Sequence, residues 1–182
     1  MKTLVILTAL CFVLAGISFA GTVVITEVVT GGNLTLTMPS NFSLSGITIG
    51  GVASANATAN ATYTVEDSRG TGVGWNLGFQ IGQFVTAGTP QRTIATSKTS
   101  MSILYADITA TWGQAKDVTN GPKSLITSST AVAGTEVKGV QALADFGMGK
   151  YTAQAAHTLV VDADRYAGTY TATLTATLNA VP

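Results

Sequence analysis

His157 is the one histidine of the chain, so acid–base or metal chemistry would have to be built around it or around clustered carboxylates. It shares its parity with Tyr151, Ala153, Ala155, Leu159 and Val161, which sets the ring against a core. Asp162 and Asp164, followed by Arg165, bring two carboxylates into one loop, but without the ligand spacing of a calcium loop; the segment reads as a solvated turn. Gly70, Gly72 and Gly74 have the backbone freedom of a phosphate cradle. No Lys-Ser/Thr pair and no helix follow them, so they read as a tight reversal that needs positive φ. No residue is assigned a catalytic, cofactor-binding or metal-binding role, and the chain is expected not to be an enzyme.

Modification chemistry has more to work with. Four of the seven asparagines, Asn33, Asn41, Asn56 and Asn60, open an Asn-x-Ser/Thr triplet. They are N-glycosylation acceptors if the host glycosylates asparagine, and coincidence in a hydroxyl-rich chain otherwise; intact mass separates the two.

Residues 1–20 carry the pattern of a signal peptide: Lys2, an apolar run from Leu4 to Ile17, then the small-residue site Ser18-Phe19-Ala20. Cleavage is expected before Gly21, leaving no membrane span. The single cysteine, Cys11, falls within that apolar run, so the secreted chain would have no disulfide, cysteine nucleophile or thiolate metal site. Residues 21–182 suffice for one domain with its own core. Eight basic residues against nine acidic ones remain after the loss of Lys2, a net charge of −1, and no basic patch points to nucleic acid. Charged residues make up only 10% of the chain, whereas it has 30 Thr and 12 Ser, a polar inventory suited to secreted β-proteins.

The elements that must position these residues are strands. Leu34, Leu36 and Met38 alternate with Asn33, Thr35 and Thr37; Ala57, Ala59, Ala61, Tyr63 and Val65 alternate with polar residues. Between them, residues 42–51 read as a short strand carrying Leu44, Ile47 and Ile49. After the glycine-rich reversal, Trp75, Leu77, Phe79 and Ile81 fall at every second position, and the adjacent Phe84 and Val85 mark a bulge or strand end. Ile108, Ala110 and Trp112 are placed on one face. The last strand sets Tyr170, Ala172, Leu174, Ala176 and Leu178 against a threonine ladder. Residues 113–150 are weakly patterned and open to helix, loop or further strands, with a hint of a short helix over 137–146. The expected fold is all-β, an antiparallel β-sandwich of Ig-like or Greek-key type.

Two motifs carry a resemblance. Asp67-Ser68-Arg69-Gly70, a glycine-rich spacer and Trp75-Asn76-Leu77 resemble the proximal motif of the WxL domain family of bacterial cell-surface proteins. The distal motif of that family is similar to residues 168–178, with Gly168-x-Tyr170, Leu174 and Leu178, but Ala176 stands where the family carries a second tryptophan. The resemblance implies a secreted domain held non-covalently at the surface, through peptidoglycan or companion surface proteins. It makes Asp67, Arg69, Gly70, Trp75, Leu77, Tyr170, Leu174 and Leu178 the motif residues, for binding or for the fold. The absence of a sortase motif, C-terminal anchor or lipobox agrees with attachment through the folded surface.

Two functions follow as expectations. The first is a surface protein attached non-covalently to envelope glycan or other surface proteins. In the second, the chain is the subunit of an extracellular filament, a homopolymer in which residues 21–30 complete a neighbour's sandwich by strand addition. Trp75 has two roles open to it, core residue by parity or glycan-stacking residue at a sandwich edge.

Overall fold

The computed structural model describes residues 26–181. The expected signal peptide, its cleavage before Gly21, and Cys11 lie outside the described residues. The fold is an antiparallel β-sandwich, with no α-helix among those residues.

Its spine is the pairing of β2 (Ser54–Asp67) with β11 (Gly149–Asp162), in register from Asp67↔Gly149 to Ser54↔Asp162. Both sequences alternate over fourteen residues, and a slip of one position would turn Tyr63, Val65 and Tyr151 out to solvent. β1 (Leu34–Thr37) flanks β2. On the other side of β11 lie β6 (Thr99–Ser102), which continues to β9 (Thr130–Ala131), and β7 (Ile108–Gly113). The second sheet runs β13 (Leu174–Ala180), β3 (Trp75–Ile81), β10 (Val137–Ala142), β8 (Lys123–Ser124). A small third sheet joins β12 (Tyr170–Thr171), β4 (Phe84–Thr86) and β5 (Thr93–Ile94).

The apolar parities of both large sheets meet in one core. Tyr63 of β2 packs edge-on to Phe79 of β3, with centroids 4.9 Å apart at 69°, a favourable geometry for two aromatic quadrupoles. The parity break after Ile81 is a strand end: the chain leaves the second sheet there and enters the third at Phe84.

Three expectations need correction. Residues 137–146 form no helix; strand β10 occupies Val137–Ala142 and its register shifts between Lys138 and Val140. Gly139 takes up that bulge, because a Cβ there would lie 2.5 Å from the Phe79 ring. The extra residue puts Val137 and Val140 three apart on one side, the spacing that imitates a helical period. In β7 a second shift skips Thr111, so Ile108 and Ala110 face Ala153 and Tyr151 whereas Trp112 pairs with Lys150 on the other side. Trp112 is 47% exposed. Residues 42–51 form no strand: Phe42, Leu44, Ile47 and Ile49 are half-buried in alternation, but the backbone has no ladder partner.

Candidate functional site

At the end of β2, Asp67 takes the core parity of Tyr63 and Val65 and is buried, a position that demands a partner for its carboxylate. Arg69 supplies it two residues on: Nε donates to Oδ1 at 2.9 Å and Nη2 to Oδ2 at 2.8 Å, a bidentate fork. The Arg69 backbone N–H also donates to Oδ1 at 3.2 Å. The same guanidinium donates to the carbonyls of Val73, at 2.6 Å, and Gly74, at 3.3 Å. Arginine 69 thus ties the start of the loop to its end, and the hydrogen bond to Asp67 raises its already high pKa. Gly70 and Gly72 both have φ +68°, the left-handed conformation this short closure requires.

The loop delivers the chain into β3 with Trp75 facing inward. Trp75 is 1% exposed, its Nε1–H donates to the Gly147 carbonyl at 3.0 Å, and its ring lies 6.1 Å from that of Tyr151. Its role is therefore in the core, with its single polar group satisfied. Burial, with the negative charge of Asp67 adding to it, pushes the Tyr151 phenol up to about 12. The hydroxyl stays a donor, directed at the carbonyls of Gln114 (2.8 Å) and Met148 (3.1 Å).

The two motifs, distant in sequence, are neighbours in the second sheet. Leu77 pairs with Leu178, Phe79 with Ala176, and Ile81 with Leu174. Ala176, where the motif that the chain resembles carries a tryptophan, thus lies beside Phe79. Tyr170 is not part of this group; it lies on β12 and donates its hydroxyl to the Tyr166 carbonyl at 2.9 Å.

Above the Asp67–Arg69 tie, the outer surface dips into a shallow depression of about 400 Å³. It is lined by Asp67, Ser68, Gly70, Trp112, Gln114 and Met148, among others. Gln114 is fixed as part of its wall, accepting from the Met148 N–H and donating to the Asp145 carbonyl, both at 3.0 Å. The exposed indole at the motif is thus Trp112, not Trp75. Sequence reasoning missed it because alternation through a bulge assigns the wrong face. Asn76, polar by parity, is also buried, with its Oδ1 lacking a hydrogen-bond partner and Gln141 and Asn179 beside it across the strands.

His157 is 2% exposed, with Nε2 3.2 Å from the Tyr63 hydroxyl and the Phe42 ring 4.8 Å away. Burial lowers its pKa to about 4, so the ring is neutral at physiological pH. Asp162 is engaged by Lys98 at 3.0 Å, and its carbonyl accepts the Arg165 N–H at 3.2 Å, closing a turn. Asn33, Asn41, Asn56 and Asn60 are all exposed, Asn56 and Asn60 on the outer face of β2. Among the described residues, no helix is long and apolar enough to cross a membrane. Compared with known proteins, the chain matches no family model, no curated protein and no solved structure.

Proposed function

We propose that this chain is a secreted, non-enzymatic protein of the cell surface, attached non-covalently to envelope glycan or to companion surface proteins, as its WxL-like motifs suggest. The observation that carries the reading is the Trp112 depression: a half-exposed indole beside motif residues whose own polar groups are spent on the fold. An indole face offers a sugar ring a flat apolar platform, with amide and hydroxyl groups nearby for orientation. The motif then has a structural task, holding the surface that binds. The test is tryptophan fluorescence of the secreted protein titrated with solubilised envelope glycan. Emission from Trp112 shifts to the blue, and a Trp112→Phe variant, reporting from buried Trp75 alone, does not respond. An identical response from both proteins overturns the reading.

A second reading, the filament subunit, is favoured by a separate observation. Residues 26–30 lie in no strand, with Val28 79% and Val29 88% exposed. A β-branched run held in water next to open sheet edges suits addition to another sheet. Under this reading the native material is an SDS-resistant polymer by electron microscopy, and deleting residues 21–30 abolishes it. Polymers that survive the deletion count against strand addition.

A further inference from the structure

A cleft of about 1160 Å³ opens between residues 38–49 and residues 165–174. It exceeds the roughly 300–1,000 Å³ of small-ligand pockets. Both walls are continuous stretches of chain, so its shape suits an extended polymer. The floor is largely apolar, with Ile81, Phe84, Leu159 and Val161. Of residues 38–49, among the described residues, only Ser45 makes a backbone–backbone hydrogen bond, from its N–H to the Thr58 carbonyl at 2.8 Å. The rest makes no backbone–backbone hydrogen bond, which leaves its N–H and C=O groups open to a partner. Two buried polar atoms on the floor also lack partners, Thr99 Oγ1 and His157 Nδ1. They belong to facing strands, diagonal to each other, since Thr99 pairs with Leu159 and Met101 with His157.

We infer that this cleft is the acceptor for residues 22–30 of a second copy of the chain, which enters as an added strand; the inference rests on the filament reading. In the extended segment, Thr-Val-Val-Ile-Thr-Glu-Val-Val-Thr, Val23, Ile25, Glu27 and Val29 fall on one side and Thr22, Val24, Thr26, Val28 and Thr30 on the other, so β-branched apolar residues occur on both. Its valines and isoleucine match the apolar floor, and its backbone and hydroxyls match the unpaired groups. Glu27 is its single charge, and Arg165, which also pairs with Asp164 at 3.1 Å, is the one formally charged residue lining the cleft.

The described part of the segment does not fill the cleft of its own chain, with Val28 79% and Val29 88% exposed. Gly32 is fixed at the far end of β2, where its N–H donates to the Ser68 carbonyl at 2.7 Å. The cleft runs from Met38, next to the Thr37–Thr64 pair, past Ala55, the partner of Val161. At about 3.3 Å per residue this is about 13 to 43 Å along β2 from Ser68, whereas the segment spans about 30 Å when fully extended. The segment falls short of the far end of its own cleft.

The test is disulfide trapping in the full chain, in a Cys11→Ser background. One copy carries Ile25→Cys and a co-expressed copy carries Ala172→Cys, on the cleft wall. A disulfide-linked heterodimer is expected on a non-reducing gel, and none when Thr111→Cys, exposed on β7, replaces Ala172→Cys. Adding Glu27→Arg to the donor lowers the yield about tenfold, on the scale of one interfacial charge pair, and Arg165→Glu in the acceptor restores it. Polymers without the heterodimer, or with equal trapping at Thr111→Cys, overturn the cleft as acceptor while leaving the filament reading standing. A disulfide formed only within a chain carrying both substitutions overturns the second copy as occupant. Absence of both polymers and heterodimer removes the filament reading and the inference together.

Discussion

Arg69 shows how a single polar side chain can organise a loop. Its guanidinium neutralises a buried carboxylate and closes the reversal onto its own carbonyls, so its loss strands Asp67 without a counter-charge. Arg69→Ala is expected to cost about 3–5 kcal/mol in chemical denaturation, and Arg69→Lys to recover little, since an ammonium cannot make the fork. Trp75→Ala belongs to the same range, about 3–5 kcal/mol, as a core truncation. His157 gives the fold a pH dependence. The folded protein keeps it neutral down to about pH 4, whereas an unfolded chain protonates it near 6.5. Between those values the unfolded state binds more protons, so stability falls as pH drops from about 6.5 to about 4 and its contribution levels off below that. The loss amounts to about 3 kcal/mol. Urea midpoints measured across that window, with His157→Gln as the non-titrating reference, check it; parallel profiles for the two proteins would contradict the assignment.

Elements were readable from the sequence where alternation is uninterrupted and unreadable where a bulge intervenes. β2, β3, β11 and β13 follow their period-two patterns because each has one face against the core. Gly139 in β10 and Thr111 in β7 each insert one residue, and parity reverses beyond them. The first insertion imitated a helix and the second hid Trp112. Gly139→Val should be resisted by the Phe79 ring and by Ile126, with an overpacking cost of about 1–3 kcal/mol. The denaturation midpoint should move with an unchanged m value; an unchanged midpoint would mean that the bulge has room to spare. Alternation also could not reveal that Leu77 meets Leu178, a pairing between strands about a hundred residues apart. Nor could it show that residues 42–49 keep the side-chain pattern of a strand without a ladder, since pattern reports burial and says nothing of backbone partners.

At the scale of the molecule, the sandwich has two distinct surfaces with different chemistry. One end holds the Asp67–Arg69 tie and the Trp112 depression; toward the other, a cleft with an apolar floor opens between residues 38–49 and residues 165–174. The motif residues that suggested a binding function serve mainly to build the first surface, with Asp67, Trp75 and Leu77 buried and half-buried Arg69 spent on Asp67 and the loop carbonyls. What contacts the envelope, on this account, is a tryptophan outside the motif. Co-sedimentation with purified envelope from the organism that makes the protein, comparing wild type with Trp112→Ala, tests that claim most directly. Trp112→Ala is expected to bind about tenfold more weakly, as for the loss of a tryptophan anchor, with the melting temperature unchanged. A Trp112→Ala protein that pellets with the envelope as the wild type does would contradict it.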